Sequence, residues 1–479
     1  MIEREAIVAG LSEIIESEKI ITDVQVLKEY SVDRYRKFQW IHGVYSRPVP
    51  AAVVKVQNTE QVSKVLRFLD DNKVNCVPRT GASATEGGLE TIAENSVVLD
   101  GSDMKEILKF DPYNMQVTAQ CGVCLEDLEN FLREHGYTTG HSPQSKPLAQ
   151  LGGLLATRSI GQFSTLYGGI EDMVVGLEAV FPGGKIVKIK NVPRRSAGPD
   201  LRHIIIGNEG ALCFITEVTL KIYTYYPENM VFYGYLMDDM RNGIKVLRDI
   251  MVAGYKPSVA RLYDVQDGDY HFSHFETGNC VLIFVAEGPE EIAAATGRAI
   301  DKFALARGAR PVDEKHIENW FNNLNWDPIK IQEEIEEIKQ TNNMGFTTEV
   351  SADWENIIEI YEACIERIPE EIPDITLCGG HSSHSYINGT NLYFVYYYNV
   401  ECGVLEEITK YHDPINKIIV EETLKRGGSM VHHHGIGKAR SMYTREEHGS
   451  AYYLLDGLKK QFDPNGIMNL GTIYHSELY

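Results

Sequence analysis

His141-Ser-Pro-Gln-Ser145, Gly152-Gly-Leu-Leu-Ala-Thr-Arg158, Tyr167-Gly-Gly-Ile-Glu-Asp-Met-Val-Val-Gly176 and Gly207-Asn-Glu-Gly-Ala-Leu-Cys-Phe-Ile-Thr-Glu217 follow one another in one stretch of chain. The stretch closes on the strand-like run from Val218 to Tyr223. Glycines cluster where a backbone must turn tightly or lie against a ligand. Apolar β-branched runs separate them. The alternation builds a surface of backbone N–H groups, which suits a bound pyrophosphate. This stretch reads as the floor of a dinucleotide site.

Upstream, Ala51-Ala-Val-Val-Lys-Val56 reads as a strand. Asn58-Thr-Glu-Gln-Val62 starts a helix, with a capping residue ahead of the apolar Val62, Val65, Leu66 and Leu69. Val74-Asn-Cys-Val77 is the next strand. A β-α-β unit implies parallel pairing. Directly after it comes Pro78-Arg-Thr-Gly-Ala-Ser-Ala-Thr-Glu-Gly-Gly88, a loop of small and hydroxyl residues that can wrap phosphate oxygens. No GxGxxG opens a helix, which disfavours the usual dinucleotide fold. Val97-Val-Leu-Asp100 and Gln116-Val-Thr-Ala-Gln120 are further strands, and Leu125 to His135 is a helix. Ahead of all this, Ile7, Leu11, Ile14 and Ile15 recur at helical spacing. Tyr35-Arg-Lys-Phe-Gln-Trp40 has no assignable role beyond packing at an edge.

Downstream, strand and helix patterns alternate with long connections from 223 to 428. That pattern suggests an antiparallel sheet with helices on one face. Ser258-Val-Ala-Arg-Leu-Tyr263 and Asn391-Leu-Tyr-Phe-Val-Tyr-Tyr-Tyr-Asn399 are two of its strands, and Leu377 to Tyr386 reads as a loop. Glu333-Glu-Ile-Glu-Glu-Ile-Lys339 reads as a helix with a solvated acidic face.

The chain has 479 residues, enough for two or three domains. Its 46 basic and 68 acidic side chains give a formal charge of -22, which repels nucleic acid. No apolar run approaches the ~20 residues that cross a bilayer. The acidic N-terminus does not resemble a signal peptide, and His475-Ser-Glu-Leu-Tyr479 is not a peroxisomal address. A cytoplasmic location is expected. Of eight cysteines, only Cys121-Gly-Val-Cys124 are close, and with no second ligand pair nearby they read as packed thiols.

Val77-Pro-Arg-Thr-Gly-Ala-Ser83, Thr139-Gly-His-Ser-Pro-Gln-Ser145, Gly152-Gly153, Ala156-Thr-Arg158, Tyr167 to Val175, Pro199-Asp200 and Gly207 to Glu217 occur in that order. Together they resemble the vanillyl-alcohol-oxidase/PCMH flavoproteins, within them the type-4 FAD-linked oxidase and transferase branch. The likeness is greatest to the alkyldihydroxyacetonephosphate synthases. Ser429-Met-Val-His-His-His-Gly-Ile-Gly-Lys438 supports this, because the D-lactate and glycolate dehydrogenases have Glu-His-Gly-Ile-Gly there. The resemblance implies an α+β fold: a two-subdomain PCMH-type FAD-binding domain and an antiparallel-sheet substrate (cap) domain. The expected division is a helical segment at 1–45, the FAD domain at 46–222, the cap at 223–428, and a segment at 429–479 that returns to the FAD domain.

The resemblance also implies the cofactor contacts. They are Pro78, Arg79, Thr80, Gly81, Ala82, Ser83 and Ala84 in the first loop, then Pro143, Ser145, Gln150, Gly152, Gly153 and Thr157, then Glu209, Gly210 and Ile215. The FAD is expected to be non-covalent. The phosphate loop has no His and the Gly152-Gly153 stretch no Cys, the residue types that covalent members use.

Hydride transfer to a flavin leaves a proton for the protein to take, and histidine is the natural acceptor near neutral pH. His432-His-His434 is therefore the first candidate. In an extended segment His432 and His434 would share a face and His433 would point away. In the synthases such histidines line the substrate pocket, which implies that role for His432, His433 and His434. Tyr393 aligns with a catalytic tyrosine of the synthases. By alternation it shares a face with Tyr397, opposite Phe394, Tyr396 and Tyr398. The dehydrogenases have a metal-binding His at Tyr393 and a Glu ligand at His433, so no metal is expected. His381 and His384 are weaker metal candidates. Arg158 is carried into the active-site region by the resemblance, with an ion pair to Glu171 or Asp172 as the plainer reading. A second substrate-binding arginine of the synthases counts back from Trp354 to Ile335, with only Lys330 and Lys339 nearby. On that count a phosphate anchor is missing.

The expected function is oxidation of a small hydroxylated or carboxylated substrate, by hydride transfer to flavin N5 with acid–base help from His or Tyr. The alternative is a synthase-like transferase that forms an ether bond through a flavin-N5 adduct. A non-catalytic flavin subunit is a third reading, disfavoured by the His and Tyr positions. A homodimer and an electron-accepting protein are left open as partners.

Overall fold

A computed structural model describes residues 2–275 and 278–479. The fold is α+β, as expected. Near the N-terminus, a small sheet has the order Ile20–Ile21, Ala52–Lys55, Val97–Asp100, Cys76–Arg79. The β-α-β unit forms, but its two strands are not neighbours. Val97–Asp100 lies between them, parallel to both. The crossover helix Thr59–Asp71 is capped by Asn58, whose side chain accepts from Gln61 N, and it buries Val62, Val65, Leu66 and Leu69. Each such buried side chain contributes about 1.5–3 kcal/mol. The helix Arg4–Ser12 adds Ile7 and Leu11 to the same core.

The glycine-studded stretch lies beside an antiparallel five-stranded sheet, with Phe214–Lys221 at its centre between Gln116–Gln120 and Val174–Phe181. Near the C-terminus the chain returns to the first sheet. Cys76 N donates to Ile467 O at 2.7 Å and Asn469 N to Cys76 O at 2.8 Å.

The downstream region forms a seven-stranded antiparallel sheet. Its order is Arg310–Pro311, Val231–Met237, Cys280–Ala286, Val259–Tyr263, Ile375–Ser382, Gly389–Asn399, Asn343–Asp353. Helices that include Met240–Val252, Glu290–Ala306, Asn356–Glu371 and Asp413–Lys425 cover one face. Phe394, Tyr396 and Tyr398 point into that helical core and are fully buried. Tyr393, Val395 and Tyr397 point the other way, into a cavity. The alternation read from the sequence places these side chains correctly.

Two local expectations are corrected. Residues 377–382 are strand, not loop. The Gly380 N–H is taken by Asp264 (2.7 Å), and Gly379 leaves room for that carboxylate. The acidic helix Pro328–Thr341 is not simply a solvated face, because Glu334 accepts from both Arg34 and Lys37 at 2.7 Å. Those two cations belong to the segment around Tyr35–Trp40. Phe38 and Ile41 from it enter the large core, and Tyr35 donates to Asp413 (2.6 Å). Among the described residues, no helix is long and apolar enough to cross a membrane.

Candidate functional site

Three glycine-bearing segments meet on one side of the cavity. Gly81 N donates to the Gln150 side chain at 2.8 Å. A Cβ on Gly81 would lie 2.7 Å from Gln150 N, one on Gly153 2.8 Å from Thr80 O, and one on Gly210 3.0 Å from the Pro78 ring. These segments touch only because the side chains are missing. Every expected cofactor contact lines the cavity except Gly81, which joins two of the segments from behind. Glu209 lines it too, but its carboxylate is engaged by the N–H groups of Ile436 and Gly437, both at 2.8 Å. Burial, opposed by these two bonds, raises its carboxyl to about 7.

The donor set fits a dinucleotide. Arg79 stacks over Tyr30 at 4.3 Å and has a buried Nη1 with no partner among the described residues. An anionic oxygen would satisfy it. Gly153→Ala is expected to push the Thr80 and Gly152 segments apart and weaken flavin retention, checked as the bound flavin-to-protein absorbance ratio after ultrafiltration.

The opposite wall is the open face of the seven-stranded sheet. Its register sets one cross-strand row: Tyr263 pairs with His381, His381 with Tyr393, and Tyr393 with Glu349. The His381 ring lies 4.6 Å from that of Tyr393 and 4.9 Å from that of Tyr263. Between the two walls is a cavity of about 920 Å³. That is near the top of the usual range for ligand sites.

The three histidines are not extended. Glu349 Oε1 accepts from the N–H groups of His433 (2.9 Å) and His434 (2.6 Å), which curls the backbone around one carboxylate. His433 and His434 therefore line the cavity together, and His432 lies outside it. The expected face-sharing of His432 with His434 is thus corrected. Tyr393 Oη and His433 Nε2 are 2.5 Å apart, the Nδ1 atoms of His433 and His432 2.8 Å, and His432 Nε2 and Tyr386 Oη 2.7 Å. Burial lowers the imidazolium pKa of His432 to about 4 and that of His433 well below its ordinary value. Burial raises the Tyr393 phenol far above its usual range.

Behind this chain lies a buried ionic cluster. Arg440 reaches Glu86 at 3.2 Å and Glu349 at 3.4 Å, and His434 Nδ1 is 3.1 Å from Glu349. Against the effect of burial, His434 and Arg440 hold the Glu349 carboxyl well below its ordinary value. Burial also opposes His434, yet Glu349 and Glu86 keep its imidazolium pKa raised. Among the described residues, Glu86, Glu349 and His434 are the one group spaced for a metal, with ligand atoms within 4.8 Å of one another. The Arg440 guanidinium already sits against both carboxylates. His381 and His384, weighed as ligands, are bonded to Asp267 (2.6 Å) and Ser164 (2.7 Å).

Arg158 does not line the cavity. Its side chain is 52% exposed and pairs with Glu171 at 2.9 Å, the plainer of the two sequence readings. Ile335 packs against the large core, and Lys330 Nζ donates to the carbonyls of Asn323 and Asn325. A buried cation that the sequence reading did not single out is Arg261. It is 2% exposed, lines the cavity, and donates Nη1 to Gln162 at 3.0 Å. Among the described residues its Nε has no partner and no carboxylate pairs with it. A lone arginine between Ala260 and Leu262 in an apolar strand was the available signal. Cys121 is buried and Cys124 partly so, and both are free thiols.

Residues 50–190 match the model of an FAD binding domain, and residues 226–473 match the C-terminal domain of FAD linked oxidases. The chain belongs to the FAD-linked oxidoreductase family. It is 66% identical to the "uncharacterized FAD-linked oxidoreductase YgcU" of Escherichia coli (strain K12), over 99% of each chain. Alkyldihydroxyacetonephosphate synthase of Dictyostelium discoideum is 26% identical, over 88% of this chain and 72% of the synthase. The crystal structure of p-cresol methylhydroxylase with substrate bound superposes with a TM-score of 0.73 at 14% identity, covering 98% of this chain and 97% of that one. Family and fold thus agree with the resemblance read from the glycine motifs.

Proposed function

We propose that this chain oxidises a small hydroxylated molecule that carries an anionic group, with a non-covalently held FAD as electron acceptor. Arg261 is the observation that carries this reading. A buried guanidinium with a spare Nε–H and no counter-ion is costly to maintain unless an anion completes it. It faces the same cavity as Tyr393, His433 and His434. Carboxylate or phosphate would suit its fork of donors.

When bound, the flavin accepts hydride from a substrate C–H bond. The chain's own residues do the rest. The segments at 78–84, 150–157 and 207–215 hold the cofactor, as part of an FAD unit at 46–222 completed by 429–479. The sheet of the 223–428 unit presents the substrate. Arg261 binds and orients the anionic end, and Tyr393 with the neighbouring histidines handles the hydroxyl. The Tyr393 phenol is too weak an acid to lie ionised, so it acts as a neutral hydroxyl hydrogen-bonded to His433 rather than as a free phenolate.

The test is purification, a visible spectrum, and anaerobic mixing with 2-hydroxy acids, polyols and aromatic alcohols. Bleaching of the flavin band by hydroxy acids, in proportion to enzyme, is the expected result. Bleaching by uncharged alcohols alone would remove the anionic requirement. A colourless protein that takes up no FAD on reconstitution would remove the whole reading. A synthase-like transferase, the second reading, has support in the 26% identical relative. It differs in net chemistry, because it would exchange groups on a substrate while the flavin stays oxidised.

A further inference from the structure

The cavity holds a second acid–base device that the triple histidine does not include. His381 and Asp267 come from different elements. Asp267 lies in the first turn of the helix Val265–Phe272. There the helix N–H groups favour a carboxylate. His381 lies on the neighbouring strand and is held between the rings of Tyr263 and Tyr393. His381 Nδ1 is 2.6 Å from Asp267 Oδ2, and the other oxygen of Asp267 is 3.3 Å from His271. Asp267 is fully buried. With Nδ1–H given to the carboxylate, the lone pair of His381 lies on Nε2. That atom has no protein partner among the described residues, and His381 lines the cavity.

A purely structural histidine looks different in this same molecule. His412 is buried too, but it uses both nitrogens, Nδ1 with Tyr396 and Nε2 with Asn416, each at 3.0 Å. The other cavity histidines are also less suited to take a proton. His433 has both nitrogens engaged, and its neighbour is a neutral imidazole. His384 is backed by the neutral hydroxyl of Ser164. His434 is held towards its charged form by Glu349. His271 also meets Asp267, at 3.3 Å, but its side chain is 42% exposed. Of His381, His384, His433 and His434, His381 alone would face a carboxylate in contact as a newly formed imidazolium. That arrangement fixes the tautomer and stabilises the charge, which is how a carboxylate serves a histidine base elsewhere.

We propose that His381, positioned by Asp267, is the base that removes the hydroxyl proton of the substrate. The inference rests on the oxidation reading above. In the step, the substrate O–H bond breaks and its proton bonds to Nε2. The electron pair left on oxygen becomes the second bond of the new carbonyl, as the C–H hydride passes to the flavin. Tyr393 and His433 then serve to hold the oxygen. The titratable and charged groups facing His381 are Asp267 and His271 behind it, Arg261 and Tyr263 on one side, Tyr393 on the other, and His384 beyond. Burial, opposed mainly by Asp267, lowers its imidazolium pKa to about 4, so the ring is neutral and able to accept a proton at physiological pH.

Two readouts on the holoenzyme test this. In the first, diethyl pyrocarbonate at neutral pH is followed by peptide mapping. His381 should be modified at Nε2, more slowly in Asp267→Asn, and it should be protected by oxalate. In the second, stopped-flow bleaching is measured with whichever hydroxy acid reduces the wild-type flavin. His381→Gln and Asp267→Asn should each slow bleaching by about 10²–10⁴-fold. The half-saturating concentration should change little, a split that mere loosening of the cavity would not give. If His381→Gln bleaches as fast as wild type, or if His381 resists the reagent while the exposed His203 reacts, His381 is not the base, and the oxidation reading stands. If no alcohol bleaches the wild-type flavin, the oxidation reading falls and takes this inference with it.

Discussion

Arg440→Met is expected to lower folding stability by about 3–5 kcal/mol, the usual cost of leaving one side of a buried ion pair without its partner. Arg440 is 1% exposed and touches two carboxylates that are themselves buried, Glu86 and Glu349. It also donates to the carbonyls of Met430 and Gly435, so its loss leaves two backbone acceptors unpaired. A fall in the denaturant midpoint at unchanged slope would report the effect. Its pH dependence has a definite sign. The Glu349 carboxyl is held below its ordinary value, so it contributes stability above the unfolded carboxyl pKa of ~4.3, lost as pH falls through the lower folded value. Removing Arg440 weakens that hold. The deficit should therefore be largest near neutral pH and should shrink in acid, where the carboxyls are protonated and need no counter-charge. A deficit that grows in acid would show that packing, not charge, explains the loss. Because Glu349 also curls the backbone at His433 and His434, the variant should lose cavity geometry along with stability.

What the sequence could not show follows the same cause. Alternation in Leu392–Tyr398 is a local property of a strand, so the sides taken by Tyr393 and Phe394 were legible. So were the glycine segments, because the requirement for no side chain is written in the residue type. The curl at His432–His434 was not legible. It is imposed by a carboxylate more than eighty positions away, which captures two adjacent N–H groups. The parallel strand between Ala52–Lys55 and Cys76–Arg79 is likewise a long-range event that a β-α-β pattern cannot reveal. Glu334 read as solvated because its partners, Arg34 and Lys37, sit about 300 positions earlier, in a segment with no evident role. Ungapped counting sought a substrate cation at Ile335, on the helix Pro328–Thr341, whereas the buried arginine in the cavity comes from a strand of the sheet. Arg261 is three strands from the edge occupied by Asn343–Asp353.

Arg261→Met accordingly tests how the cavity selects its ligand. Methionine keeps much of the apolar stem, so the variant should fold and keep its flavin. The Gln162 side chain loses one donor, and the rings of Tyr263 and Trp320, 5.0 and 5.3 Å from the guanidinium, lose a stacked cation. A bound carboxylate would be left buried without its counter-charge. Truncating one partner of such a pair costs about 2–5 kcal/mol. At 1.4 kcal/mol per tenfold, that corresponds to roughly 30- to several-thousand-fold weaker binding. The expected result is a rise of that size in the concentration of hydroxy acid that half-saturates flavin bleaching. The limiting rate should fall less. Uncharged alcohols should lose almost nothing, and selectivity should shift towards them. Arg261→Lys should recover part of the affinity, since it restores the charge without the planar fork. Equal losses for charged and uncharged substrates would mean that Arg261 supports the wall and not the ligand. The anion would then have to be held by another cavity cation, such as Lys37 or Lys330, each already committed to backbone carbonyls.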